Sequence, residues 1–100
     1  MSNLIISNIV IKQDNSGLFC LNDFHKASGG GEFKRPSKFM VNEQTQSLIN
    51  EISESPNSGL AYNIVKGGKS SGTYGCKELV YSYAMWISPK FHLQVRWIAI

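Results

Sequence analysis

The stretch GTYGCKELVYSYAMWISPKF, residues 72–91, predicts the element around which the rest of the chain is organised. It begins in a glycine-rich turn, continues through residues that are almost all apolar, and stops at a Ser-Pro pair. From Leu79 to Ile87 only Ser82 is polar, apart from two tyrosines with apolar rings. A helix that is apolar on nearly every side must be enclosed by other elements. We therefore predict that Glu78–Ile87 forms the central helix of a small domain.

Length and composition fit one folded domain. A chain of 100 residues, 42% hydrophobic and 17% charged, is typical of a globular protein with one modest core. The apolar patch Leu4–Ile11 has no basic residue before it and no cleavage site after it, so it predicts a strand and not a signal peptide. No apolar run approaches the roughly 20 residues that cross a bilayer. We expect an intracellular protein without a membrane partner. Residues 1–100, which stop inside an apolar run without a cap, are expected to be one domain cut from a longer protein.

The cysteines and histidines offer no recognisable metal site. Cys20, Cys76, His25 and His92 could supply four ligands, but no CxxC or CxxH spacing supports zinc. An intracellular setting also disfavours a disulfide. We expect buried free thiols, no metal and no cofactor.

Charge is distributed unevenly along a chain whose net charge is +3. Residues 24–40 hold four cations and one acid, residues 41–61 hold three acids and no base, and residues 62–77 hold three lysines and no acid. Two basic segments separated by an acidic one suggest a face that binds polyanions. Scattered solvated lysines are the alternative explanation of the same pattern.

The first quarter of the chain predicts a β-hairpin followed by a short helix. Leu4–Lys12 and Leu18–Leu21 are strand-like, and QDNSG between them supplies turn formers. Asn22 is placed to cap a helix at Asp23–Ala27. Ser28 and three consecutive glycines then end this helix.

A longer helical region follows, and Pro36 is placed to open it. Four apolar or half-apolar residues fall on one helical face that reaches about Glu54: Val41, Thr45, Leu48 and Ile52. Asn42 could instead cap a second segment, so the pattern leaves a break there open.

A second hairpin precedes the central helix. Tyr62–Lys66 and Thr73–Cys76 predict its strands, and GGKSSG predicts a polar tip that has no core to enter. Such a tip is either a turn without a binding role or a contact surface.

The region after the central helix is ambiguous. Ser88 and Pro89 are a suitable N-cap and first residue for a last helix. From Phe91 to Trp97, however, apolar and polar residues alternate as in a strand, although Phe91 and Val95 also keep helical spacing. The pattern alone does not decide between the two.

Catalytic groups are sparse. A metal-dependent nuclease needs clustered carboxylates, but the seven acids are dispersed. His25 could act as a base and Ser28 as a nucleophile, yet no third group orients them, and a solvated helical histidine explains the pair more simply. KGGKSSGT lacks the spacing of a phosphate-binding GxxxxGK[ST] loop. We expect no enzyme.

Two segments supply groups that bind phosphates, namely cations, hydroxyls and bare backbone amides. The hairpin tip carries them at Lys66, Lys69, Ser70, Ser71 and Thr73. The run KRPSK, residues 34–38, places three cations at the start of a helix, where backbone amides also favour anions. A helix pair followed by a basic hairpin is the order of parts in a winged helix-turn-helix.

A family resemblance supports this interpretation. GTYGCKELVYSYAMWISPKFHLQV resembles the C-terminal signature of the KilA-N domain, which is found in proteins of phages and large DNA viruses. FCLNDFHKASGGGEFKRPSKFM resembles the N-terminal half of that family, so the resemblance covers roughly residues 6–98. The family is similar to fungal APSES domains, which are winged-helix-like DNA-binding modules. The resemblance implies sequence-dependent DNA binding, no enzymatic activity, and helices on both sides of the Ser88-Pro89 junction.

The sequence therefore predicts an α+β, winged helix-turn-helix-like domain with an N-terminal β-hairpin, two helices, a β-hairpin wing and two C-terminal helices. Our main hypothesis is a duplex-DNA-binding module of a phage or prophage regulator, acting in the cytoplasm of a bacterial host. The predicted DNA contacts are Lys34, Arg35, Ser37, Lys38 and Asn42 on the recognition helix and its approach, and Lys66, Lys69, Ser70, Ser71 and Thr73 on the wing. Asn42 is the predicted base reader, because its amide can pair with adenine.

The alternative hypothesis is a protein-interaction module, such as an antirepressor or an oligomerisation domain, that does not contact DNA. Its partner would be another regulator or a second copy of the chain. Tyr62, Tyr74 and the final apolar segment would then form the interaction surface.

Overall fold

The computed structural model describes residues 4–55 and 59–97, and at residue 97 it describes the backbone alone. These residues form a mixed α/β domain with two small sheets and five α-helices. The elements are, in chain order, β1 (Leu4–Ile6), β2 (Ile9–Ile11), β3 (Phe19–Cys20), α1 (Leu21–Ser28), a 3-10 turn (Glu32–Lys34), α2 (Pro36–Met40), α3 (Glu43–Glu54), β4 (Tyr62–Val65), β5 (Gly72–Gly75), α4 (Lys77–Ile87) and α5 (Pro89–Trp97). None of the described helices combines the length and the apolar character needed to cross a membrane.

Both sheets are antiparallel. β1 and β2 pair with each other, with Leu4 opposite Ile11. The second sheet has the order β3-β5-β4, so β5 is its central strand. β4 and β5 form the predicted second hairpin, in which Tyr62 lies opposite Gly75. Because α4 begins shortly after β5, this hairpin is attached directly to the central helix.

The first hairpin was predicted correctly only next to its turn. Leu4–Lys12 does not form one strand, because the chain reverses at Ser7 and Asn8, which have φ angles of 50° and 69°. Asparagine tolerates this left-handed conformation better than most residues. Across the predicted QDNSG turn, Gln13 bridges Phe19 and the N–H of Cys20 donates to the carbonyl oxygen of Lys12 at 2.9 Å, while β3 also pairs with β5.

The predicted N-cap of the first helix was also wrong. α1 begins at Leu21 with Cys20 at its N-cap. The Oδ1 atom of Asn22 accepts a hydrogen bond of 2.8 Å from the backbone N–H of Thr73, so this amide joins α1 to β5. The end of the helix was predicted correctly, since Gly29 adopts the left-handed conformation that terminates helices.

The helical region after Pro36 is broken at Asn42, as one of the two interpretations predicted. Asn42 Oδ1 accepts the N–H of Gln44 at 2.9 Å and caps α3. α3 buries Thr45 and half-buries Leu48 and Ile52, as its predicted face requires. Val41, which was predicted on the same face, is 78% exposed, because it lies in the turn between the two helices.

α4 lies in the core as predicted, but it is not enclosed on every side. Leu79, Val80, Tyr83 and Ala84 are at most 1% exposed, whereas Met85 is 48% exposed. α1, α2, α3, α5 and β5 all pack against it. The apolar sequence of this helix therefore covers more of its circumference than the domain buries.

The ambiguous C-terminal pattern forms a helix, as the family resemblance implied. The hydroxyl of Ser88 accepts the N–H of Phe91 at 3.0 Å, which is the predicted cap. Phe91 and Val95, one turn apart, are buried, while Leu93 is exposed. A strand would have placed all three on one face.

An ion pair joins the N-terminal region to α1. Asp23 is buried, and its carboxylate accepts hydrogen bonds of 2.9 Å from both the backbone N–H and the ammonium group of Lys12. This bond to Asp23 raises the pKa of the Lys12 ammonium above its ordinary value.

Stability should decline in alkaline solution. Burial raises the pKa of four further groups, the thiols of Cys20 and Cys76 and the phenols of Tyr74 and Tyr83. A group whose pKa is higher in the folded state stabilises the fold fully below its unfolded pKa, and this contribution is lost as the pH rises through the folded pKa. Their contribution should be intact below pH 9.0, the ordinary value for a thiol, and should decline above it. Urea denaturation in steps from about pH 7 to about pH 11 measures this, and a free energy of unfolding that stays constant above about pH 9 would contradict it.

Gly72→Ala should destabilise the attachment of the second hairpin to α1. Gly72 has a φ of +150°, and an added Cβ would lie 2.9 Å from Asn22 Oδ1 and 3.2 Å from Cys20 Sγ. We expect the free energy of unfolding to fall by about 1–3 kcal/mol in urea denaturation. Gly31→Ala is the matched control, because its φ is −80° and nothing lies within 4 Å of the added Cβ. Equal losses in the two variants would show that the close contact at Gly72 is unimportant.

Candidate nucleic-acid interface

Aromatic packing anchors the basic segment, residues 34–38. Phe39 is buried, with its ring centroid 5.0 Å from that of Tyr83 and 5.7 Å from that of Trp86. Ser37 and Lys38, on the same short helix, are exposed. Because α2 has only five residues, the predicted contribution of its amides to anion binding is small.

Lys34 is bound to α4 at both its backbone and its side chain. Its ammonium donates to the carbonyl oxygen of Trp86 at 3.1 Å and lies 4.6 Å from the centroid of the Trp86 ring. Its own carbonyl oxygen accepts the hydroxyl of Tyr83 at 2.6 Å. A cation is favourable over an aromatic ring and at the last turn of a helix. The ammonium group predicted to bind DNA is therefore already engaged within the domain.

Arg35 is more accessible than Lys34. Its Nη1 atom lies 3.2 Å from Oε1 of Glu32, and the two side chains are 46% and 74% exposed. An ion pair this exposed contributes little to stability, so a phosphate could replace the carboxylate of Glu32. Arg35 and Lys38 are thus the cations of this segment that remain available to a ligand.

Asn42 is partly committed to its capping bond. A bidentate contact with adenine uses both the oxygen and the nitrogen of an amide, but Asn42 Oδ1 already accepts the N–H of Gln44. Gln44 itself is exposed in the first turn of α3, and its side chain makes no hydrogen bond to another described residue. It was not among the predicted contacts, although the helical spacing places it outside the face formed by the buried Thr45 and Ile49.

The wing tip, residues 66–71, is exposed at every residue. Gly67 and Gly68 both have a φ of +77°, a conformation that glycine adopts without strain. The hydroxyl of Tyr74 donates to the carbonyl oxygen of Ser70 at 2.7 Å and fixes the returning side of the tip. The tip displays four of the predicted contacts: Lys66, Lys69, Ser70 and Ser71. Thr73, two residues after the tip, is half-buried, and its backbone N–H bonds to Asn22 in α1.

The acidic segment lies on α3. Glu43, Glu51 and Glu54 are exposed, and the helix carries no basic residue. Glu51 and Glu54 would repel phosphates from the C-terminal end of this helix, whereas its first turn carries one acid, Glu43. In the described part of the chain, the basic segment and the wing tip share no hydrogen bond or ion pair, and each is attached to the core separately.

The two histidines considered for metal binding or catalysis bond to backbone carbonyl oxygens, and both cysteines are free thiols. Residues 4–55 and 59–97 contain no group of three or more His, Cys, Asp or Glu side chains placed to hold a metal. The hydroxyl of Ser28 donates to the carbonyl oxygen of His25 at 2.7 Å and not to its ring. The ring nitrogen Nε2 of His25 lies 2.8 Å from the carbonyl oxygen of Gly31 and secures the glycine loop. The hydroxyl of Ser28 and the ring of His25 therefore bond to separate backbone groups and not to each other.

The surface predicted for the interaction hypothesis needs one correction. Tyr62 is 40% exposed, but Tyr74 is only 1% exposed, because it packs against Leu18 and Cys20 in a small second core. Residues 98–100 of the final apolar segment lie outside the described residues.

Comparison with known proteins agrees with the resemblance seen in the sequence. The KilA-N domain family matches residues 3–99. The protein kilA of Escherichia phage P1 is 32% identical over 91 residues, which cover 91% of this chain and 34% of that protein. The chain thus spans about a third of the length of this relative. No solved structure matches the chain.

Lys34→Met should destabilise the domain, because it keeps the aliphatic stem but removes the ammonium from Trp86 and from the end of α4. We expect the free energy of unfolding to fall by about 1–2 kcal/mol in urea denaturation. Lys38→Met removes the same charge from an exposed position and should change it by less than about 0.5 kcal/mol. If both variants are as stable as the parent chain, the Lys34 contact does not anchor the basic segment.

Proposed function

The chain belongs to the KilA-N domain family of phage-type DNA-binding domains, and from this premise we propose that it binds duplex DNA as a module of a phage or prophage regulator. In this proposal α2, α3 and the β4–β5 hairpin act as a winged helix-turn-helix in the bacterial cytoplasm. The observation that carries it is the wing tip, where two lysines and two serines are fully displayed with no acid among them. The module acts by binding alone, without a catalytic step.

The wing binds the phosphate backbone. Lys66 and Lys69 supply positive charge, and the hydroxyls of Ser70 and Ser71 supply hydrogen-bond donors. Glycines at 67 and 68 let a phosphate approach the main chain closely. The bond from Tyr74 to Ser70 holds the tip in place before DNA binds, which reduces the entropy lost on binding.

The region around α2 sets the position of the protein on the duplex. Arg35 and Lys38 bind phosphates, while Lys34 holds the segment on α4. The first turn of α3 then reaches base edges in the major groove, with Gln44 as the better placed amide and Asn42 as the second. Glu51 and Glu54 keep the C-terminal end of α3 away from the phosphates.

Removing both wing lysines should weaken binding to every duplex alike. For Lys66→Ala/Lys69→Ala we expect the slope of log K against log[salt] to become shallower by roughly 1.8, which corresponds to the loss of about two phosphate contacts. Fluorescence anisotropy with labelled duplexes over a salt series measures the slope. Lys90→Ala/Arg96→Ala, which removes two exposed cations from α5, is the matched control and should retain it.

Two results would contradict the proposal at different levels. A parent chain whose binding does not depend on salt, or that does not bind duplex DNA at all, would remove phosphate contacts from the account. A slope that is unchanged in the wing variant, or reduced as much in the α5 variant, would show that the wing is not where the phosphates bind.

A further inference from the structure

The outer edge of β4 is open and apolar. β4 is the last strand of its sheet, and no other strand in residues 4–55 and 59–97 lies beyond it. In β4, Tyr62 and Ile64 are 40% and 52% exposed, and Leu60, two residues before the strand, is 58% exposed. Proteins usually protect such edges with charges, prolines or bulges. Residues 60–65 contain no charged residue and no proline.

Hydrogen bonds within the sheet show which backbone groups face this edge. The N–H of Thr73 donates to Asn22 and so does not bond to Ile64, its partner in the register. The N–H of Cys76 does bond to the carbonyl oxygen of Ala61. Because bonded and non-bonded pairs alternate in an antiparallel sheet, Tyr62 and Ile64 direct their N–H and C=O groups away from β5. Both residues thus present a donor and an acceptor to the open edge.

We propose that β4 pairs with β4 of a second copy of this chain, antiparallel and centred on Asn63. Tyr62 of each copy then lies opposite Ile64 of the other, and the outward N–H and C=O groups form four backbone hydrogen bonds. The two opposed pairs are aromatic with β-branched, a combination that stabilises adjacent strands. The product is one continuous six-stranded sheet with two-fold symmetry.

The distribution of charge favours a second copy as the occupant of this edge. A strand that recognised a basic or acidic peptide would carry complementary charges, and this one carries none. In the pairing centred on Asn63, Lys66 lies opposite Leu60 of the second copy, so that like charges are not opposed. The two basic wing tips leave the joined sheet at opposite ends. Self-association is therefore possible despite the net charge of +3.

The dimer has a consequence that rests on the proposed function. Two DNA-binding surfaces related by a two-fold axis fit an inverted repeat. The pairing itself, however, involves no DNA and can be tested without it.

Sedimentation equilibrium of the chain without DNA, from about 10 µM to about 1 mM, should show the mass rising from one copy to two. Ile64→Lys should weaken the dimer at least about tenfold, because it replaces the β-branched member of each Tyr62–Ile64 pair with a charged residue. Ile64→Pro should have a similar effect, because it removes an N–H that makes no bond within the sheet, while the thermal midpoint stays close to that of the parent chain. Val10→Lys, a strand position that is 50% exposed in the other sheet, is the control of equal charge and should leave the dimer unchanged.

The inference is overturned if the parent chain stays monomeric to about 1 mM, forms open-ended polymers, or dimerises equally well in both Ile64 variants. It is also overturned if Val10→Lys weakens the dimer as much as Ile64→Lys. A chain that dimerises through β4 but does not bind DNA would sink the proposed function and leave this inference standing. A chain that binds DNA as a strict monomer would overturn this inference and leave the proposed function standing.

Discussion

The hydroxyl of Tyr83 constrains the arrangement of the whole domain. Tyr83 has no exposed surface, and a buried phenol needs a hydrogen-bond partner. Its partner is the carbonyl oxygen of Lys34, 49 positions earlier, so the chain between α1 and α2 must cross α4 at this point. The ammonium of Lys34 then reaches the carbonyl oxygen of Trp86, one turn further along. This pair of bonds places the basic segment on the central helix and determines which of its cations remain free.

The start of α1 fixes the second half of the domain in a similar way. Asn22 accepts the N–H of Thr73 in β5, while the adjacent Asp23 binds Lys12 after β2. Two consecutive side chains thus tie one helix to a strand on each side of it. Because β5 leads into α4 within two residues, the wing receives its orientation from the same helix that carries the basic segment.

Signals that act within one turn were readable from the sequence, and signals that depend on distant partners were not. Pro36, Gly29 and Ser88 open, end and cap helices as predicted, because proline, glycine and serine act on neighbouring backbone groups. Asn22 also fitted the local rule for an N-cap, but its side chain bonds to a strand residue 51 positions away. The reversal at Ser7 and Asn8 carries no glycine or proline, so Leu4–Lys12 was predicted as one strand and not as β1 and β2.

In the candidate interface, too, local features were readable from the sequence and contacts with distant residues were not. Charge counts located both basic segments, but only the fold shows that the ammonium of Lys34 is occupied and that Asn42 uses its oxygen as a cap. The helical choice for α5 came from the family resemblance, since apolar residues alternate there with the period of a strand. The burial of Tyr74 could not be predicted, because an aromatic residue in a hairpin can lie on either the buried or the exposed face of the sheet.

The β4–β5 hairpin carries charged and apolar residues in different parts of its length. Its lysines lie at the glycine-rich tip, beyond the last residue of β4, and the strand itself carries apolar side chains and no charge. Pairing along β4 therefore leaves both tips free, and it holds them at opposite ends of the joined sheet. Charges further apart than about 8 Å are largely screened at physiological salt, so repulsion between the tips opposes the pairing only weakly. Binding of DNA would lower this repulsion further, because phosphates neutralise the lysines. The proposed self-association and the proposed DNA binding therefore use different parts of one hairpin and are compatible with each other.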